Sequence, residues 1–368
     1  MLLYSRKLPS NDNHRSFCRT IRTEISNRRG RMENKRIFLP APEKAAFRVE
    51  PFDETLREKE VLAQMDWDVI SAGTELAYYK ALPNTWGVES GFPVYPGYSA
   101  SGHVIAVGRE VKNVHTGDRI LLNAASHCLY TKLNESAVIP IPDGVDMKEA
   151  AFAFLSTFPF LSIRKLELEI GEAVMVAGLG LLGQFAIQIA KLAGACPVMA
   201  CDFSPERREL ALQLGADLVF DPREPDFMEK VKAATGGKGP EAVVEVTGHI
   251  AGLQQALEYV AFEGRIALLG CTRVSDQYID FYKYVHRRGI RLLGCHNHAR
   301  PRVESRPGEW TSEDDCRTYL KLLKAGRLRA APLIGQTVSP AEAETLYAEL
   351  AASGNPTLGV LLDWNRVK

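Results

Sequence analysis

The stretch Val174-Met175-Val176-Ala177-Gly178-Leu179-Gly180-Leu181-Leu182-Gly183 carries a short apolar run through three glycines and straight into a helical pattern. Gly178 suits a tight strand-to-helix turn, Gly180 lets the main chain approach a pyrophosphate, and Gly183 lets the helix pack closely on the strand. Leu182, Phe185, Ala186, Ile189 and Ala193 then recur at three- and four-residue steps, so this helix buries one face, and Gly194 stops it. Its N-terminus would offer N–H groups to phosphates. Glycines recur in any turn, and the flanking sequence has to supply the meaning.

A second apolar run, Pro197–Cys201, ends at Asp202, nineteen residues beyond Gly183. A dinucleotide fold places there the acid that binds the adenosine ribose hydroxyls. Asp202 also suits a helix cap, since Ser204-Pro205-Glu206 reads as a helix start. Such an acid repels a 2′-phosphate, which favours NAD over NADP. Further apolar strands are expected at Leu218–Phe220, Ala242–Val246, Arg265–Leu269 and Ile290–Leu293. Helices are expected at Leu182–Leu192, Pro205–Leu214, Asp226–Ala234 and Ala251–Ala261. Apolar strands joined by crossover helices call for a doubly wound parallel sheet, the Rossmann arrangement, within an α/β chain. Leu181, Leu182 and Arg207 join the three glycines and Asp202 as cofactor-binding candidates. Thr247 and Gly270 follow the fourth and fifth strands at loops that face a cofactor.

At 368 residues the chain suits two domains. Hydrophobic content of 46% and charged content of 24% are those of a globular protein. Residues 1–31 carry eight Arg or Lys against Asp12 and Glu24, a surplus of +6 that leaves the remainder at −6. That body implies no nucleic-acid face. The arm lacks hydrophobic periodicity and is expected to be disordered. It reads as a start codon placed too early, a dispensable basic arm or a transit segment. The seven cysteines are scattered without a C-x-x-C pair, as expected of free thiols in the cytoplasm. The longest apolar stretch, Ala151 to Ile163, is thirteen residues with Pro159 inside it. It falls short of the roughly 20 needed to span a bilayer.

From about Ile37 to Ile141, short strand-like pieces such as Val61–Ile70, Gly102–Val107, Arg119–Leu122 and Ala137–Ile141 predict an all-β domain, with helical signals beginning only at Asp146. The organisation is therefore an extension at 1–31, a β-rich domain at 32–153, a dinucleotide domain at 154–298 and a return segment at 299–368. Helices are expected there at Glu313–Ala325 and Pro340–Ala352, with a last strand at Thr357–Leu362.

Several motifs in this order are Ser71-Ala72-Gly73-Thr74-Glu75, Pro96-Gly97-Tyr98-Ser99-Ala100-Ser101-Gly102, Thr116-Gly117-Asp118-Arg119 and Ser156-Thr157, followed by Gly178 to Gly183 and Asp202. Together they resemble the medium-chain dehydrogenase/reductase superfamily, alcohol dehydrogenase-like, over about residues 36 to 364. The resemblance implies a GroES-like catalytic domain, a homodimer through the edge of the dinucleotide sheet and contact of Thr157 and Leu182 with the nicotinamide. The catalytic zinc ligands of that family fall at Ala72, Tyr98 and Ala153, and no four-cysteine cluster follows Arg119. Zinc is therefore not expected. This pattern looks like the subgroup containing the bacteriochlorophyllide hydroxyethyl dehydrogenase, which implies NAD-linked oxidation of a secondary alcohol on a hydroxyethyl group, polyol or sugar.

Without a metal, protein groups must manage the hydroxyl proton and the charge on oxygen. Tyr98 either donates to the carbonyl oxygen or merely fills the vacated metal cavity. Glu75 could orient or deprotonate Tyr98, bind substrate hydroxyls or form a buried ion pair. Thr74 matches a relay hydroxyl whose usual terminal histidine is out of register. Ser99, His296 and His298 are expected to line the substrate pocket. Strand alternation sends Cys295 away from His296, against a metal there. His127 reads as structural. Two alternatives stay open: an NADPH-dependent quinone or enoyl reductase of the same superfamily, and a non-catalytic dinucleotide-binding protein. The expected partner is a small-molecule substrate, with neither nucleic acid nor membrane.

Overall fold

The computed structural model describes residues 32–353 and 357–368. The expected extension at 1–31 lies outside the described residues. An antiparallel pair, β1 (Glu33–Ala41) and β2 (Lys44–Pro51), precedes the long strand β3 (Glu60–Val69). Strands β4 (Ser99–Val107), β5 (Arg119–Asn123), β6 (Tyr130–Asn134) and β7 (Ile139–Pro140) complete the N-terminal β region. β3 organises it, with its whole length on β4, its first half on β6 and its last residues on a C-terminal strand. Register shifts at Leu62/Ala63 and Met65/Trp67 let one strand serve three partners.

The six strands β8 (Val174–Ala177), β9 (Val198–Cys201), β10 (Leu218–Phe220), β11 (Ala242–Glu245), β12 (Arg265–Leu268) and β13 (Arg291–Gly294) form one parallel sheet, in the order β10-β9-β8-β11-β12-β13. β8, β9 and β11 are buried at every position, which is why they read as apolar runs, interrupted only by Glu245 at the end of β11. The order reverses direction between β8 and β11, and a doubly wound sheet opens its ligand crevice at that switch. The strands and helices expected between Ala173 and Gly294 stand within two residues of their predicted ends. Elsewhere β4 starts at Ser99 where Gly102 was expected, the helix expected from Pro340 starts at Ala343, and the strand expected from Thr357 starts at Val360.

The chain then forms the helix Ser312–Lys324, strand β14 (Gln336–Val338), the helix Ala343–Ala352 and strand β15 (Val360–Asp363). β15 pairs antiparallel with Trp67 to Val69 of β3, so the C-terminus closes on the N-terminal sheet. Besides short helical turns at Trp86–Glu89 and Glu135–Ala137, the N-terminal region differs from expectation in one longer element. Residues Ala72–Tyr79, read as part of an all-β stretch, form a helix. Gly73 and a pair of tyrosines hide its period, and packing against the helix Ala343–Ala352 stabilises it from far along the chain. Among the described residues no helix is long and apolar enough to cross a membrane.

Candidate active site

The glycine turn leaves β8 with Gly178 at φ 96°, a conformation open to glycine at little cost. A Cβ on Gly183 would stand 2.0 Å from the Gly178 carbonyl oxygen, so the helix Leu181–Leu192 approaches the turn only because residue 183 has no side chain. A Cβ on Gly180 would meet nothing within 4 Å, which leaves the main chain there open to a ligand. No side chain caps this helix, and its first-turn N–H groups lack intrahelical acceptors. Asp202 accepts from the Leu179 N–H at 2.8 Å through one oxygen and from the Ser204 N–H at 2.8 Å through the other, which ties the acid to the turn. Arg207 sits half-buried on the following helix, within electrostatic reach of Asp202. The fit to a dinucleotide is good: an uncapped helix, an approachable glycine and an acid fixed beside them.

Leu181 and Leu182 are half-buried at the helix start, Thr247 borders the same turn, and Gly270 lies against Gly248 on the adjoining loop. A Cβ on Gly178 would come 3.0 Å from the Thr247 nitrogen, and one on Gly270 2.3 Å from the Gly248 nitrogen. Thr247 is held by Glu245, a residue the sequence reading passed over. Glu245 ends β11 completely buried, one carboxylate oxygen is unpartnered, and burial pushes its pKa up. The glutamate two residues before Thr247 in an otherwise apolar strand was the available signal.

Thr157 departs from expectation. It is wholly buried, and its hydroxyl donates to the Phe154 carbonyl at 2.7 Å within the helix Ala153–Lys165. Its carbonyl accepts from Arg300 at 2.5 Å. Thr157 therefore supports the cleft wall and presents no group to a ligand.

Tyr98 precedes β4 half-buried, its ring against Phe154 and Phe158 with centroids 5.7 and 6.3 Å away. Its phenol is hydrogen-bonded to the Ser71 hydroxyl, and Thr74 also acts on it. Burial raises the phenol's pKa well above the ordinary value, while the two hydroxyls pull it part of the way back. Ser71 was quoted in the first motif but not singled out as a site residue.

Glu75 makes no hydrogen bond to the Tyr98 phenol. It is fully buried and paired with His127 at 2.9 Å, and it accepts from the Ser71 N–H at 2.8 Å and from the Tyr347 hydroxyl. The other ring nitrogen of His127 faces Asp68. An imidazole with a carboxylate on each nitrogen must carry both protons. Burial opposes that charge, but Asp68 and Glu75 outweigh it and hold the His127 pKa at about 10. Burial also raises the pKa of Asp68.

Ser99 is likewise no substrate residue. It is completely buried, donates to the Ala151 carbonyl at 2.7 Å and accepts from the Leu155 N–H at 3.2 Å. It pins β4 to the start of the helix Ala153–Lys165. His296 and His298 are exposed on the loop after β13, their rings edge to face at 4.8 Å. Burial, His298 and Arg273 lower the His296 pKa. Its Nδ1 lies 3.3 Å from the His298 N–H, which leaves Nε2–H as a donor in the neutral ring. Cys295 is buried and directed at the Leu293 carbonyl, away from both histidines.

The positions to which the resemblance assigns a catalytic zinc hold Ala72, Ala153 and Tyr98, and the phenol of Tyr98 is engaged by Ser71. Two alanines supply no donor, and this set does not fit a zinc ion. No group of three or more His, Cys, Asp or Glu that could hold a metal occurs among the described residues.

A parallel sheet with a glycine turn and a fixed acid, joined to a β-rich domain whose loops carry a phenol–hydroxyl pair, defines a two-domain dinucleotide-binding architecture. The β-rich portion matches the alcohol dehydrogenase GroES-like domain over residues 59–153, and residues 182–307 match a domain described as a zinc-binding dehydrogenase. The chain belongs to the alcohol dehydrogenase-like medium-chain dehydrogenase/reductase superfamily. It is 25% identical to a D-guloside 3-dehydrogenase of Escherichia coli strain K12, over 86% of this chain and 95% of that protein. It is 26% identical to a sorbitol dehydrogenase of Bacillus subtilis, over 60% of this chain and 75% of that one. The fold is shared with an Escherichia coli oxidoreductase/dehydrogenase of unknown specificity, with TM-score 0.79, 17% identity, and coverage of 90% of this chain and 99% of that one.

Proposed function

We propose that this chain is an NAD-linked, zinc-independent dehydrogenase of secondary alcohols, with a polyol or sugar hydroxyl as the substrate class. The observation that carries the reading is the Tyr98 phenol, standing where the family keeps a zinc ligand and hydrogen-bonded to Ser71. When bound, the nicotinamide supplies or accepts the hydride. In the reducing direction the Tyr98 phenol gives its proton to the carbonyl oxygen, and Ser71 and Thr74 hydrogen-bond the phenolate that remains. In the oxidising direction the step runs in reverse and begins from the phenolate, held by Ser71 and Thr74, which takes the alcohol proton and ends as the phenol. The raised pKa keeps Tyr98 protonated at neutral pH, as a donor to carbonyl oxygen requires. The neutral His296 offers an N–H suited to a substrate hydroxyl.

The names of the relatives, acting on a guloside and on sorbitol, support a polyhydroxylated substrate. Asp202 supports NAD, because its carboxylate stands beside the phosphate turn where a 2′-phosphate would be repelled. The free cysteines among the described residues are consistent with a cytoplasmic enzyme. The edge strand β13, which has a neighbour on one side only, supports a homodimer through that edge.

The test is a panel of polyols, hexosides and simple secondary alcohols, offered with NAD and with NADP, together with metal analysis of the purified protein. NAD-linked turnover with less than stoichiometric zinc is expected. Stoichiometric zinc, or a preference for NADP, overturns the corresponding part. Tight NAD binding with no turnover across the panel would favour a non-catalytic dinucleotide-binding protein.

A further inference from the structure

Four buried side chains that touch no ligand surface converge behind the Tyr98–Ser71 pair. Asp68, Glu75 and His127 are completely buried, and so is Tyr347. They come from the end of β3, the helix Ala72–Tyr79, the loop after β5 and the helix Ala343–Ala352. Each end of the network grips one partner of the pair. Glu75 uses one oxygen to hold the Ser71 N–H at 2.8 Å and the other to meet His127 and Tyr347. The His127 main-chain N–H donates to the Pro96 carbonyl at 2.8 Å, two residues before Tyr98. Gly97, at φ 101°, lies so close that a Cβ there would be 2.5 Å from the His127 nitrogen and 2.6 Å from ring Nδ1.

Burying one imidazolium with two carboxylates costs more than an apolar filling of the same volume, so stability alone does not account for the cluster. We propose that Asp68, His127, Glu75 and Tyr347 form a positioning network that sets the Tyr98 phenol against the Ser71 hydroxyl. The inference rests on the reading of Tyr98 given above. Glu75 fixes the Ser71 backbone, His127 fixes the Pro96-Gly97 segment that delivers Tyr98, and the ion pair between them sets the separation. Tyr347 brings the C-terminal helix into the same arrangement. None of the four is a catalytic residue.

The test uses the full chain with NADH bound and carbon-13 at Cζ of every tyrosine, the Tyr98 resonance being assigned by its loss in Tyr98→Phe. Tyr347→Phe and Glu75→Gln should each move that resonance by more than its linewidth while unfolding stays cooperative. Tyr79→Phe is the control, because its ring packs tilted against Tyr347 with centroids 5.8 Å apart without entering the network, and it should leave the Tyr98 signal in place. An unmoved signal in both network variants, or an equal movement in Tyr79→Phe, overturns the proposal. On an alcohol that the panel shows to be turned over, the network variants should lose kcat about tenfold, about 1.4 kcal/mol, at unchanged KM and NADH affinity. Full turnover in Tyr98→Phe would instead remove the catalytic reading and leave the resonance test standing, so the two failures are distinct.

Discussion

Tyr98→Phe separates the phenol from the ring that carries it. The ring would keep its packing against Phe154 and Phe158, and the phenol's hydrogen-bonding interactions with the Ser71 and Thr74 hydroxyls would go. Such a bond contributes about 0.5–1.5 kcal/mol to stability. In a chain of this size that lowers the unfolding midpoint by about 2–4 °C for each kcal/mol. Loss of a positioned acid removes about 10²–10⁴ from the rate, or roughly 3–5 kcal/mol of transition-state stabilisation. The catalytic effect therefore exceeds the structural one several-fold, and the two can be read apart. Turnover would be followed by NADH absorbance, cofactor binding by NADH fluorescence and stability by thermal unfolding. The expected result is a kcat reduced at least about a hundredfold, with NADH affinity unchanged. A kcat within about twofold of the parent, less than 0.5 kcal/mol, would refute the assignment and leave Tyr98 as a filler of the metal cavity.

Asp202→Ser should weaken NAD binding about 10- to 150-fold, the loss of one charge-assisted hydrogen bond of about 1.5–3 kcal/mol, and should improve NADP relative to NAD; an unchanged ratio of the two affinities speaks against the ribose role. Gly183→Ala places a Cβ against the Gly178 oxygen, and with 2.0 Å available the helix must withdraw from the turn; NAD affinity should drop at least about tenfold, about 1.4 kcal/mol, as read by calorimetry. The buried imidazolium makes stability depend on pH. The folded-state pKa of His127, about 10, lies above its unfolded value of about 6.5, so its contribution is full below pH 6.5 and is lost as pH rises through 10. Asp68, also raised, acts with the same sign because the native state holds the extra proton. The unfolding midpoint should therefore fall between pH 7 and pH 10, and His127→Gln should flatten that fall while costing about 3–5 kcal/mol at neutral pH.

Sequence and structure agree best where local chemistry is sufficient. The central strands β8, β9 and β11 are buried on both faces, which demands apolar runs broken only by Glu245 at the end of β11, and the turn at Gly178 to Gly183 demands glycine for reasons of backbone conformation and clearance alone. Neither requirement refers to a distant partner, so periodicity, glycine spacing and the Asp202 interval determined the α/β class and the cofactor half. The alanines at 72 and 153 are equally plain in the sequence, because a missing donor needs no structure to be noticed. The other half of the cleft depended on which segments meet. Thr157 and Ser99 look like contact residues from motif position, but both are buried, the Thr157 hydroxyl donating within its own helix and the Ser99 hydroxyl to the Ala151 carbonyl just before that helix. Glu75 could not be matched to His127, 52 residues on, or to Tyr347, 272 residues on, from spacing of any kind. Only the closure of β15 onto β3 and the docking of the helix Ala343–Ala352 bring those groups together. A buried charge selects its partner through three-dimensional proximity and desolvation, and the tertiary structure alone decided which residues stand behind Tyr98.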